Sequence, residues 1–189
     1  MNETDSISTS VVILSCSLNP TSRSHKLGVT AAAFLSARGM PVEVVDLADY
    51  NLPMCGGVES FDHPSVKALK AVIDRAGAIL VAAPVYNYDL NAAAKTAMEL
   101  TGASWKEKPV GFLCAAGGQA SYMSPIGFAN SLMFDFRCYI VPRFVYSTRD
   151  DFTEAGEPGP QITERVEQLV TTTLDLARAL AWVREQPGT

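Results

Sequence analysis

Histidine is nearly absent from this chain of 189 residues, which has only His25 and His63. So few imidazoles argue against a histidine-built metal centre, and no metal ligand is expected. Four cysteines, Cys16, Cys55, Cys114 and Cys138, stand singly with no C-x-x-C pair among them. Three fall in or beside apolar runs, so they read as reduced core thiols rather than a disulfide or zinc framework. Basic charge is in deficit, with 15 Lys and Arg against 20 Asp and Glu and a net charge of -5. That leaves no electropositive surface for nucleic acid or an anionic membrane. No apolar run approaches membrane-spanning length, and residues 1–9 lack the basic and apolar parts of a secretion signal. A cytoplasmic location is therefore expected.

What the chain does have begins at Val11-Val12-Ile13-Leu14, which ends abruptly in Ser15-Cys16-Ser17-Leu18-Asn19-Pro20-Thr21-Ser22-Arg23-Ser24. An apolar run giving way to hydroxyls, an amide and a guanidinium reads as a buried parallel strand, a polar turn and a helix start. The turn holds no glycine. Neither G-x-G-x-x-G nor the glycine-rich phosphate loop is present, so close backbone approach to a pyrophosphate is not provided for. Unpaired N–H groups at the helix start, hydroxyls from Ser17, Thr21, Ser22 and Ser24, and the Arg23 charge suit a single terminal phosphate instead. This favours a mononucleotide such as FMN over NAD bound in dinucleotide fashion. The same residues equally suit a plain helix cap with an Asn-Pro turn.

With 48% apolar residues, the chain is long enough for one well-buried core, and a single domain over residues 1–189 is expected. Leu27, Ala31, Phe34 and Leu35 recur at helical spacing before Gly39, and Gly28 suggests close packing on the sheet. Residues 42–47 read as a strand with Asp46 at its end. The stretch 48–62 is too long for a simple connection and is expected to cover the site or a partner subunit. A helix opens at Pro64 with Val66, Leu69, Val72 and Ile73 on its apolar face, followed by a continuous apolar strand at 78–83. That strand stops at Pro84-Val85-Tyr86-Asn87-Tyr88-Asp89. Aromatics beside amides at a strand end offer a flat apolar face with in-plane hydrogen bonding, which suits a planar heterocycle; a plain surface loop is the alternative. An Ala-rich helix at 91–100 and a strand at 109–114 lead to Ala115-Ala116-Gly117-Gly118-Gln119. Paired glycines leave backbone N–H groups open to a ligand carrying negative charge. A helix opens at Ser124-Pro125, with Phe128 and Phe134 assigned to a subunit interface. Residues 138–147 form a strand that Pro142 confines to the sheet border, and a last helix carries Ile162, Val166, Leu169, Val170 and Leu174 on one side. Residues 186–189 are expected to fray.

Strands alternating with helices imply α/β architecture: a three-layer sandwich around a five-stranded parallel sheet in the order 2-1-3-4-5. In that order the turns at 17–24, 84–87 and 117–119 converge on one crevice.

The run from Ser17 to Ser24, Pro84-Val85-Tyr86-Asn87, Ala94-Lys95-Thr96 and Gly117-Gly118 together resemble the NADPH-dependent FMN reductase family of flavodoxin-like proteins, over residues 11–148. The Ser-Arg-Ser and Pro-Val-Tyr stretches are especially similar to the flavin reductases that supply alkanesulfonate monooxygenases. Cys16 stands where the family commonly has Gly, Asn19 where it often has Arg, and Val85 where many members have Glu. The resemblance implies that Ser17, Ser22, Arg23 and Ser24 bind the FMN phosphate, with Asn19 also on the cofactor. Pro84, Val85, Tyr86 and Asn87 would bind the isoalloxazine, and Gly117, Gly118 and Gln119 its pyrimidine edge. It further implies a hydride donor, NADPH or NADH, dimers or tetramers, and a small acceptor such as a quinone, an azo compound or free flavin. No catalytic side chain is called for, because hydride passes directly between stacked rings. Two other readings stand beside this one. A flavodoxin-type electron carrier or flavin-binding sensor shares the fold, and a serine hydrolase would use Ser17 as nucleophile with Asn87 as oxyanion donor. The hydrolase lacks a histidine after His63.

Overall fold

A run of branched apolar residues without polar interruption has no face to offer water, and β1 (Val11–Ser15) is buried along its whole length. The structure, a computed structural model, describes residues 10–186. The readings of residues 1–9, and of 187–189 as a fraying end, lie outside that range. After β1 come α1 (Arg23–Ala37), β2 (Val42–Asp46), the short α2 (Val58–Asp62), α3 (Pro64–Arg75), β3 (Ala78–Tyr86), β4 (Asp89–Leu90) and α4 (Ala92–Thr101). The chain continues through β5 (Pro109–Ala115), α5 (Pro125–Phe136), β6 (Tyr139–Ile140), β7 (Val145–Ser147) and α6 (Pro160–Glu185).

The sheet runs β2-β1-β3-β5-β6, with β7 also on β5, and all of these pairings are parallel. Counting β6 and β7 as one interrupted border strand gives the expected order 2-1-3-4-5. Alternation along the strands divides the core in two. Val12, Leu14, Val81 and Phe112 face α3, α4 and α5, while Val11, Ile13, Leu80 and Leu113 face α1 and α6. Gly28 lets α1 approach: a Cβ there would lie 3.1 Å from Ile13 and 3.3 Å from Ala82. Among the described residues, no helix is long and apolar enough to cross a membrane.

Four expectations need correction. β3 does not stop at Ala83 but runs through Pro84, which pairs with Ala115. The segment after it is a hairpin, not an open loop, because Asn87 and Tyr88 both take positive φ, 52° and 63°, and turn the chain back as β4. Pro142 does more than mark a border: the 138–147 strand is split around it into β6 and β7. Phe128 is core, 3% exposed and edge-on to Trp105 and Phe112, whereas Phe134 is 81% exposed. The stretch 48–62 is partly ordered, with a 3-10 turn at Leu47–Asp49 and α2 at its end.

Candidate functional site

Parallel register sets the carboxyl ends of β1, β3 and β5 side by side, Ser15 opposite Ala82 and Pro84 opposite Ala115. The turn after β1 closes without glycine because its own side chains organise it. Asn19 Oδ1 accepts from both the backbone N–H and the hydroxyl of Thr21 at 3.0 Å, and buried Ser17 accepts from the Asn19 N–H at 3.2 Å. Ser22 occupies the N-cap position of α1 with extended backbone, yet its side chain caps nothing. Its hydroxyl pairs with that of Ser24 at 2.8 Å instead, so the first-turn N–H groups of α1 have no side-chain acceptor. The plain-cap reading of this turn is therefore not realised. Arg23, without an ion pair among the described residues, lies 5.9 Å over the Phe152 ring.

Beneath the turn is a cluster that sequence reasoning missed. His25 Nδ1 lies 3.0 Å from Ser15 Oγ and 3.5 Å from Asp46 Oδ2, while Asp46 Oδ1 accepts from the Ala48 N–H. Serine, histidine and aspartate are thus adjacent, but both oxygens meet the same ring nitrogen and Ser15 is fully buried. A relay through the ring is not formed, and no substrate reaches that hydroxyl. The cluster instead joins α1 to β1 and β2. Ser17 has no histidine bonded to it among the described residues, and His63 Nδ1 accepts from the Ser65 N–H. The hydrolase reading is left without a base.

Val85, Asn87, Tyr88, Gly117, Gly118 and Ser121 line a cleft of about 490 Å³ at the ends of β3 and β5. A Cβ on Gly117 or Gly118 would meet nothing within 4 Å. These glycines leave space open rather than relieving a clash. Tyr146 holds their turn in place, donating to Gly118 O and pairing with Ser121 Oγ at 2.7 Å. Tyr86 and Tyr88 are 57% and 70% exposed, so their rings remain available. Gln119 departs from the group: its amide lies 3.5 Å from Thr148 Oγ1, and it borders a different cavity. The first turn and the second strand end are tied by Asn91, whose Nδ2 donates to Cys16 O at 2.7 Å. Asn91 Oδ1 is buried without a protein partner. Cys16 itself is no nucleophile, since full burial pushes its thiol well above the ordinary range.

Asn91, Ser121 and Tyr146 are the residues that the sequence did not single out. Asn91 sits where any helix cap would, and Tyr146 lies within a strand pattern, so neither carried a signal of its own.

Comparison with known proteins gives a match between residues 9–151 and the family model described as NADPH-dependent FMN reductase. Among solved structures, the chain is similar to FerB, a flavoenzyme NAD(P)H:(acceptor) oxidoreductase from Paracoccus denitrificans. The identity is 21% over 90% of this chain and 98% of that one, with a TM-score of 0.74. It is also similar to RosB with bound 8-demethyl-8-formylriboflavin-5′-phosphate, at 17% identity, 92% and 81% coverage and a TM-score of 0.78. A flavodoxin from the domain Archaea aligns at 13% identity, 90% and 99% coverage and a TM-score of 0.63. These likenesses establish a flavodoxin-like fold.

Proposed function

Because the chain belongs to the NADPH-dependent FMN reductase family, it is an oxidoreductase using FMN and a nicotinamide donor, and we propose that it passes electrons on to a small acceptor from one crevice. FMN, when bound, supplies a ring that takes up hydride from the donor and yields its electrons to the acceptor. The residues present fit such a group. Donors without side-chain partners stand at the start of α1, an unpartnered buried acceptor stands at Asn91, and open space lies over Gly117 and Gly118.

In this reading Ser17, Ser22 and Arg23, with the first-turn N–H groups, hold the phosphate, Ser24, fully buried, acts through its hydroxyl pair with Ser22, and Asn19 shapes their turn. Pro84, Val85, Tyr86 and Asn87 seat the flat ring, and the backbone of Gly117 and Gly118 faces its pyrimidine edge. Gln119 is left only its backbone, as its side chain faces Thr148. The protein's contribution is orientation and exclusion of water rather than proton transfer. That FerB is named an NAD(P)H:(acceptor) oxidoreductase supports a small acceptor; quinones, azo compounds and free flavin all belong to that class. The free thiols at Cys16, Cys55, Cys114 and Cys138 fit a cytoplasmic, single-domain enzyme. Exposed Met54, Val58, Phe61 and Phe134 fit pairing with further copies as a dimer or tetramer.

The observation that carries the placement is the first turn of α1, where Ser22 stands at the cap yet turns its hydroxyl to Ser24. Ser22→Ala with Ser24→Ala should weaken FMN binding by about 1–3 kcal/mol in a fluorescence titration, and unchanged affinity rejects it. Turnover separates enzyme from carrier. NADPH consumed in many equivalents per flavin supports the reductase, whereas a single equivalent per flavin supports an electron carrier.

A further inference from the structure

Behind the glycine turn lies a second cavity, of about 600 Å³, between the β6–β7 interruption and α6. Arg143 and Arg165 both line it, and no acidic residue does. Neither arginine has an ion pair among the described residues, in a chain whose net charge is -5. The nearby acids are otherwise engaged: Glu167 pairs with Arg38 at 2.7 Å, and Glu164 accepts from the Gln168 amide. Arg143 also holds a backbone φ of +62°, a conformation that penalises any residue with a Cβ. Aromatic rings stand among the polar groups of its lining. Phe144 is fixed edge-on to Phe112 at 5.3 Å, and Tyr122 edge-on to Tyr146 at 5.4 Å. Aromatic rings beside two guanidinium groups without ion pairs suit a base carrying phosphate.

Its position gives the cavity a role. One turn divides it from the flavin cleft, with Gly118 and Ser121 lining the cleft and Gln119 and Tyr122 lining the cavity. A ligand with one end in the cleft would cross that turn to bring its other end to the arginines. We propose that this cavity receives the adenosine end of the nicotinamide donor, with Arg143 and Arg165 on its 2′-phosphate, so that NADPH is preferred to NADH. The assignment rests on the reductase reading for the donor's identity, though the cavity's affinity for the nucleotide end is measurable without it.

Adenosine 2′,5′-bisphosphate, which has no nicotinamide, is titrated calorimetrically into the FMN-loaded protein and into Arg143→Ala and Arg165→Ala. Saturable binding that weakens about tenfold or more in each variant is expected, with FMN affinity unchanged as the check on folding. Kinetically, KM for NADPH should rise by a similar factor at constant kcat, while KM for reduced nicotinamide mononucleotide, which lacks adenosine, should not move. Absence of bisphosphate binding to the unaltered protein, or binding indifferent to both arginines, overturns the proposal. So does an NADPH KM insensitive to both. If the protein oxidises no nicotinamide at all, the reductase reading fails and the titration alone decides the cavity.

Discussion

Two glycines on this chain serve opposite purposes. Gly28 is small because α1 lies against the sheet, with Ile13 and Ala82 at contact distance from any added carbon. Gly28→Val should therefore cost about 1–3 kcal/mol in a urea melt. Gly117 faces open space, so Gly117→Val should leave the same melt unchanged while sharply weakening FMN binding. Loss of stability in that variant would place the residue in the core rather than at the ligand. The buried thiols bear on pH. Burial pushes Cys114 from 9.0 up to about 12 and drives Cys16 up as well, so the native state keeps protons that the unfolded chain releases. Above about pH 9 the native state binds more protons, and stability falls as pH rises. Cys16→Ala with Cys114→Ala should flatten that alkaline decline in urea midpoints, although the double variant starts lower because of the cavities it leaves. At this scale the turn after β1 was legible as a turn feeding a helix, because an apolar run breaks there into hydroxyls and an Asn-Pro pair. Asn91 was not, since its importance lies in a bond across 75 positions of sequence to Cys16 O.

Elements were legible where periodicity ran uninterrupted and less so where proline stood near a strand. Pro84 read as a terminator and Pro142 as the mark of a border strand, and neither acts quite so. Pro84 sits inside β3 with its carbonyl accepting from the Asn91 N–H, so only its missing donor had to be accommodated. Pro142 instead separates β6 from β7. Turn geometry was invisible in the same way: nothing in Asn87-Tyr88 obliges two positive φ values, and the hairpin follows from β4 pairing back on β3. Just past α5, Arg137 also takes the left-handed conformation, φ 53° and ψ 34°, as its N–H and that of Cys138 close the helix. Arg137→Gly relieves that penalty and should raise stability by about 1 kcal/mol in chemical denaturation. The exposed pair with Glu107 that it sacrifices is worth little. A fall in stability would show that the pair outweighs the backbone.

The order of strands in the whole molecule was readable because alternating strand and helix leaves few topologies, and it correctly set the three turns along one edge. What a one-dimensional pattern cannot convey is which large apolar residues remain outside the core, as Phe128 and Phe134 show from the same helix. Phe134, 81% exposed on α5, is the natural place to test assembly. Phe134→Asp should shift the species seen by analytical ultracentrifugation toward the monomer while circular dichroism stays unchanged. An unaltered sedimentation profile would remove this surface from any contact between copies.

The last helix has a temporal consequence. Leu27, Ala31 and Leu35 of α1 share their core with Ile162, Val166, Leu169 and Val170 of α6, more than a hundred residues downstream. During synthesis, then, the helix that opens after the hydroxyl-rich turn waits with one flank bare until nearly the whole polypeptide has emerged. A nascent chain halted before residue 160 should be greasy, dependent on chaperones and unable to retain flavin.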